Sequence, residues 1–524
     1  MSPSESASPG AAPHADPVLA DALRADLTDG GLTVPAVETL LGPTASGALH
    51  REEILPALRA VGGRGAVDPL VTLTRVFVLG RPVPRAEAER ALPRLGVEGA
   101  VRLGLLDAAG QQETDQVRPL VDLRPYSASD AAGEVDWWLA SDLGEAVTGE
   151  VLHREHVLGV GGASITLAQS TIRTRVHRTL DLGTGCGVQA LHASRHSDSV
   201  VATDLSARAL AFARLNAALV GVELDLRLGS MLEPVHGEQF DLVVSNPPFV
   251  ITPRSAGSGP VYEYRDGGRS GDDLVRDLIT GVGDVLAPGG VAQLLGNWEH
   301  RGGQDWTERV GGWLDQAGLD GWVVQREVLD PAEYAELWLR DGGTTRERDR
   351  ARWESGLTAW LEDFEQRGVD AVGLGMVVLR RPLAGGPSMR RLEEQPGAVR
   401  QPLGGHLATV LAAHDWLTLH DDEAVLGSRL TVAPDVTEER HLRPGAADPS
   451  VVLLRQGGGF GRTVQVGTAL AGLVGACDGD LTVGQILGGL GAILDVEVAE
   501  LRSSLLPAVR GLLLDGLLEP PIHR

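Results

Sequence analysis

Four apolar runs between residues 178 and 297, RTLDLGTG, SVVATD, FDLVVSNPP and GGVAQLLGN, each end on glycine, aspartate, asparagine or proline, and helical stretches separate them. Short continuous apolar runs of this kind read as strands buried on both faces, which requires a parallel sheet covered by helices. In an open α/β sheet ligands collect beyond the carboxyl ends of the strands, and that is where these runs keep their chemistry. Two later runs, GWVVQREVL (321–329) and AVGLGMVVLRR (371–381), read as final strands. The charged stretch between them, with Trp338, Trp353 and Trp360, is expected to be a helical insertion at about 331–367. Its tryptophans suit either a core or a substrate clamp.

At 524 residues the chain exceeds what one core usually supports, so two to four domains are expected. Residues 1–17 are Ser/Pro/Ala-rich and expected to be disordered; 18–130 read as a helical, winged-helix-like module closing in a hairpin; 131–383 hold the sheet; 384–405 read as a linker; 406–524 form a second winged-helix-like module. In this last module Thr482 and Gln485 have capping-box spacing before an apolar run.

A net charge of -25 argues against wholesale coating of nucleic acid, although a local basic face fits within an acidic average. All 46 basic residues are arginine, so a lysine Schiff base and a P-loop are both excluded. Cys186 and Cys477 cannot build a disulfide framework, which fits a reducing cytoplasm. With no signal-like N-terminus and no apolar run of about 18 residues, a cytoplasmic protein that does not span a membrane is expected.

LDLGTGCG (180–187) places Asp181, Gly183, Thr184, Gly185 and Gly187 where a strand turns into a helix. Glycine permits a tight turn and a ligand lying on bare backbone, yet a turn that merely caps a strand has the same composition. The next strand ends at Asp204, whose carboxylate can accept both hydroxyls of a ribose or cap the helix beginning at Ser206-Ala207. Proline gives no N–H to a sheet and biases its predecessor toward extended backbone, so Asn246-Pro247-Pro248 leaves the sheet as a stiff turn with fixed carbonyls.

Together these stretches resemble class I S-adenosyl-L-methionine-dependent methyltransferases acting on planar nitrogens. Asn-Pro-Pro-Phe is similar to their motif IV, LDLGTGCG to motif I, and Asp204 to the acidic residue of motif II. The resemblance extends to the release-factor glutamine methyltransferase and small-domain rRNA methyltransferase families, and over the whole chain to actinobacterial multidomain methyltransferase-like proteins. It implies a Rossmann-like seven-stranded α/β core with an antiparallel last strand, flanked by mainly helical, winged-helix-like modules. It also implies S-adenosyl-L-methionine as cofactor and a macromolecular acceptor: a protein such as a release factor, methylated on glutamine, or ribosomal RNA, methylated on a base. A catalytically silent donor-fold scaffold or a nucleic-acid-binding module is the alternative.

Carried onto this chain, the resemblance assigns Asp181, Gly183, Thr184, Gly185, Gly187, Asp204, Leu205, Ser230 and Asn246 to the donor, and Asn246, Pro247, Pro248 and Phe249 to catalysis. An amide or exocyclic amine nitrogen is a poor nucleophile because its lone pair is delocalised. Hydrogen bonds from its two N–H groups to the Asn246 side-chain oxygen and the Pro247 carbonyl would fix it for in-line displacement, and Phe249 offers a face for a planar acceptor. Two departures stand out: Phe249 where glutamine methyltransferases usually have tyrosine, the Asn-Pro-Pro-Phe form being common among ribosomal-RNA guanine and adenine methyltransferases, and Gly229-Ser230 where many relatives have an acidic residue for the adenine amine. Asp266, Gly267, Gly268 and Gly271 are similar to the D-G-G-x-x-G stretch on the substrate side of the glutamine methyltransferases.

Two stretches remain. His153 and His156 have no third ligand nearby in the sequence, so no metal is expected. HVLGVGGASITLAQST (156–171) reads as a hairpin ahead of motif I, either flexible or with Gly159, Gly161 and Gly162 open to the donor's methionyl end.

Overall fold

The computed structural model describes residues 10–51, 53–63, 67–149, 152–253, 267–383 and 385–521, in two compact units. The larger holds residues up to 129, 133–168 and 175–394. Its sheet is built from β1 (Val176–Leu182), β2 (Ser197–Asp204), β3 (Asp225–Leu228), β4 (Phe240–Ser245), β5 (Leu286–Arg301), β6 (Asp320–Leu329), β7 (Val369–Arg380) and β8 (Arg390–Glu394), in the order β8-β6-β7-β5-β4-β1-β2-β3. Strands β1 to β5 run parallel, and β7 lies antiparallel between β5 and β6. Strand order reverses between β1 and β4, which opens a crevice at their carboxyl ends.

The crossovers include α1 (Val188–Ala193), α2 (Ala207–Val220), α3 (Asp273–Gly281), α4 (Trp306–Ala317), α5 (Pro331–Asp341) and α6 (Arg350–Arg367). Ser206 caps α2 through Ala209 N, and Gly221, at φ 82°, ends it in the left-handed conformation that glycine tolerates. Phe240, Val243, Leu294, Trp298, Val323 and Val377 fill one buried cluster of the sheet.

Two expectations are corrected. Residues 390–394, expected in a linker, form β8, parallel to β6, because Asp320 Oδ1 accepts the backbone N–H groups of Ser388 (2.7 Å) and Met389 (2.8 Å) and steers the chain back along the sheet. The boundary expected at residue 130 does not separate two cores. Leu23 and Leu27 of the helix Pro17–Asp29 share a buried cluster with Phe212, Leu215 and Leu219 of α2, and the hairpin 121–142 contributes Leu123, Val135 and Leu139 to it. Residues 1–9, most of the segment expected to be disordered, lie outside the described residues; Asp16 caps the first helix.

The smaller unit comprises residues 130–132, 169–174 and 395 onward. An antiparallel sheet (Val436–His441, Val451–Gln456, Thr463–Val466) accompanies helices that include Gly404–Leu419, Val483–Leu494 and Val498–Leu514. Thr482 and Gln485 form both halves of a capping box. Among the described residues, no helix is long and apolar enough to cross a membrane.

Candidate active site

Register brings the three motifs together. Leu182 on β1 pairs with Thr203 on β2 and with Ser245 on β4, so the next residues, Gly183, Asp204 and Asn246, leave three adjacent strands at one level. Neighbouring strands lie about 5 Å apart, so these residues border one crevice. The Ser245 hydroxyl donates to the Leu182 carbonyl at 2.7 Å and ties the β4 exit to the β1 exit.

The glycine turn is fixed from behind. Asp181 is buried; its Oδ2 accepts from the Thr184 hydroxyl (2.6 Å) and from Ala190 N (2.9 Å), joining the strand end to α1. Burial pushes this carboxyl up to about 7, against the lowering effect of those two bonds. Gly183 and Thr184 both donate backbone N–H groups to the Thr203 carbonyl at 2.9 Å. Gly183 (φ 74°) and Gly185 (φ 55°) have open space where a Cβ would stand, whereas at Gly187 (φ 93°) it would lie 3.1 Å from Ala213 Cβ. The first two therefore offer bare backbone, and the third permits close packing of α2.

Asp204 Oδ2 accepts Gly185 N (2.9 Å) and Oδ1 accepts Ser206 N (2.8 Å). Burial raises its carboxyl above the ordinary aspartate range, and these backbone bonds oppose the shift. Leu205 and Leu228, which follow and pair with Asp204, leave 63% and 60% of their surface exposed, making an apolar rim. Ser230 is exposed beside it.

On the other side of the crevice, Pro247 is buried and Asn246 half-buried, with its Oδ1 enclosed and without a hydrogen-bond partner among the described residues. An enclosed acceptor left unpaired costs about 1–3 kcal/mol. Phe249 meets Trp338 of α5 edge to face, ring centroids 6.5 Å apart. A Cβ on Gly267 would stand 3.4 Å from the Pro248 carbonyl, so the D-G-G segment returns against motif IV; Asp266 itself lies outside the described residues. Beyond it, Asp272 pairs with Arg309 and accepts Glu299 N at 2.8 Å, while Glu299, fully buried, pairs with Arg301 and Arg367.

The structure adds a third candidate ligand to the histidine pair. Asp142 lies beside His153 (3.6 Å) and His156 (3.9 Å). Its carboxylate also accepts from the Arg208 guanidinium (Nε–Oδ2 2.9 Å, Nη2–Oδ1 2.5 Å) and from Val157 N (2.9 Å). Burial lowers both imidazoles, His156 to about 4. The segment expected as a hairpin is, over Gly162–Ser170, a helix.

Residues 160–258, which carry all three motifs, match the family model described as methyltransferase small domain. The core is a class I methyltransferase domain. The chain is 39% identical over 129 residues to the release factor glutamine methyltransferase of Deinococcus radiodurans, covering 23% of this chain and 46% of that one. It is 36% identical over 117 residues to the protein of the same name from Geobacter sulfurreducens (21% and 41%). It is 31% identical over 168 residues to the ribosomal protein uL3 glutamine methyltransferase of Bradyrhizobium diazoefficiens (30% and 53%). The chain thus spans about half the length of the curated relatives it matches. On either side of the methyltransferase domain, residues 29–120 and 408–520 match two domains of unknown function (DUF7059 and DUF7782).

Around the methyltransferase domain's crevice the structure also places residues that sequence reasoning passed over: Asn297, Glu299 and Asp272 at the β5 side, and Tyr334 on α5. Asn297 carried a signal, closing the fourth apolar run. Tyr334 carried none.

Proposed function

We propose that this chain transfers a methyl group from S-adenosyl-L-methionine to the side-chain amide nitrogen of a glutamine in a protein. The observation that carries the reading is the enclosed Asn246 Oδ1, without a partner among the described residues, at the strand exit beside Gly183 and Asp204. The relatives named as glutamine methyltransferases support the choice of acceptor.

The residues present suit the donor. The open backbone at Gly183 and Gly185 leaves room for it, Asp204 retains lone pairs for ribose hydroxyls, and Leu205 and Leu228 give apolar surface suited to an adenine. When bound, the sulfonium donor supplies an electrophilic methyl carbon. Asn246 Oδ1 and the Pro247 carbonyl would then accept the two N–H groups of the acceptor amide and hold its nitrogen in line. Pro247 and Pro248 keep those oxygens in place, so little reorganisation accompanies the transfer. The nitrogen turns acidic only after attack, and its proton can pass to water, so no strong base is needed beforehand. Phe249 would lie along the planar amide. The terminal modules would select the acceptor protein.

Calorimetric titration with S-adenosyl-L-methionine and mass spectrometry of proteins from cells with and without the gene test this reading. A donor that does not bind, or no protein lacking a methyl increment in the deleted strain, would overturn it. Loss of methyl from RNA instead, with binding that weakens steeply as salt rises, would move the acceptor to nucleic acid.

A further inference from the structure

We propose that Tyr334, on the helical insertion between β6 and β7, is a positioning residue for the acceptor clamp. The inference rests on the reading of Asn246 and Pro247 given above. The Tyr334 hydroxyl oxygen accepts the Ile251 backbone N–H at 3.1 Å and the Asn297 side-chain N–H at 2.7 Å. Ile251 lies two residues past Phe249 on the chain that leaves β4 through Asn246-Pro247-Pro248-Phe249, and Asn297 lies on neighbouring β5. One oxygen thus ties the chain after motif IV to the strand beside it.

The oxygen is held firmly. Tyr334 is fully buried on the first turn of α5, and the capping box of Asp330 and Glu333 fixes that turn. Its ring meets Trp338 (6.0 Å), Trp360 (5.8 Å) and Phe364 (5.9 Å), so both insertion helices box it in. Val250 and Ile251 belong to the same buried cluster as Tyr334, Trp353 and Trp360, with Phe249 packed against it. A ring enclosed by aromatics would pack as well as phenylalanine; the hydroxyl is explained by the two donors it satisfies, one just past the clamp and one on β5. The insertion therefore sets where Asn246 Oδ1 and the Pro247 carbonyl stand, and misplacement of such groups is expensive in rate.

The test uses the full chain and its Tyr334→Phe variant, with tritiated-methyl S-adenosyl-L-methionine as donor and protein extract from cells lacking the gene as acceptor. The variant is expected to bind donor within twofold of wild type and keep its KM for donor, while kcat falls about 10- to 100-fold, the order expected for two lost hydrogen bonds. Hydrogen exchange should show the Ile251 amide protected in wild type and exposed in the variant. A variant with kcat within twofold of wild type, or a wild-type Ile251 amide exchanging freely, overturns the inference while leaving the functional reading intact. A wild-type chain that transfers no label overturns the functional reading, and the inference with it. Should Tyr334→Phe fail to fold, Asn297→Ala removes one of the two bonds and spares the aromatic box; the same split in kcat is expected, and unchanged kcat overturns the inference.

Discussion

Asp204 Oδ2 accepts the Gly185 N–H at 2.9 Å, so the last residue of β2 holds the middle of the turn that follows β1. The proposed donor side of the crevice is thereby held in place by the chain itself, and the carboxylate is oriented by two backbone bonds. Preorganisation of this kind lowers the cost of binding.

Replacing Asp204 by alanine removes both bonds together with the proposed ribose contacts. Donor affinity is expected to fall about 10- to 100-fold, since hydrogen bonds to charged groups contribute roughly 1.5–3 kcal/mol. Isothermal titration with S-adenosyl-L-methionine measures it.

Alanine substitutions should separate the glycines of motif I. At Gly187 a Cβ meets Ala213 Cβ at 3.1 Å and Cα at 3.2 Å, so Gly187→Ala adds crowding to the backbone penalty of a positive φ. Gly183→Ala meets open space, and its cost is the conformational penalty alone, about 1–2 kcal/mol. Urea denaturation should rank Gly187→Ala as the less stable, whereas donor titration should show the larger loss of affinity per unit of lost stability for Gly183→Ala.

The Asp181 carboxyl, raised to about 7 from an ordinary value of 3.8, favours its neutral form in the folded chain. Its stabilising contribution is therefore complete below the ordinary value and is lost as pH rises toward the folded value. Asp181→Asn keeps an oxygen that can accept from Thr184 and Ala190 but cannot ionise. The stability of wild type relative to this variant should fall between about pH 4 and about pH 7; denaturation at a series of pH values reads it.

Glu299 is fully buried and faces Arg367 and Arg301. Arg367→Ala strips away one of its two cations, and breaking a buried pair this way costs about 3–5 kcal/mol. Chemical denaturation should show a loss of that order, reduced to the extent that the half-exposed Arg301 compensates.

Loss of the Asn246 acceptor should separate binding from turnover. Asn246→Ala is expected to keep donor affinity within a few-fold while transfer falls by about 10²–10³, the range for removing one preorganised polar group. Single-turnover transfer from labelled donor is the measurement.

The sheet was legible because its strands are apolar runs that each close on a turn residue. The apolar runs closing at Gly183, Asp204 and Asn246 became adjacent strands, and register set those residues level. The capping box of Thr482 and Gln485 was readable for a similar reason, being local. What escaped was long-range. Strand β8 has the sequence RRLEE, which carries no strand signal, and it pairs because Asp320, about seventy residues earlier in the chain, gathers its leading N–H groups. Tyr334 likewise reaches Ile251, just past motif IV, across 83 residues. No spacing rule foresees contacts of that separation, which tertiary packing alone creates.

Strand β8 also closes the sheet against unwanted growth. It pairs with β6 over residues 321–325, and Arg391 lays its guanidinium 4.9 Å from the Trp322 ring centre. A long apolar strand left bare would offer its main chain as a template to any other chain with a similar segment. A short margin rich in arginine and glutamate is a poor template. These five residues thus act as a stopper, and a chain shortened to end before them would be expected to polymerise through β6 even though every residue of the crevice remained.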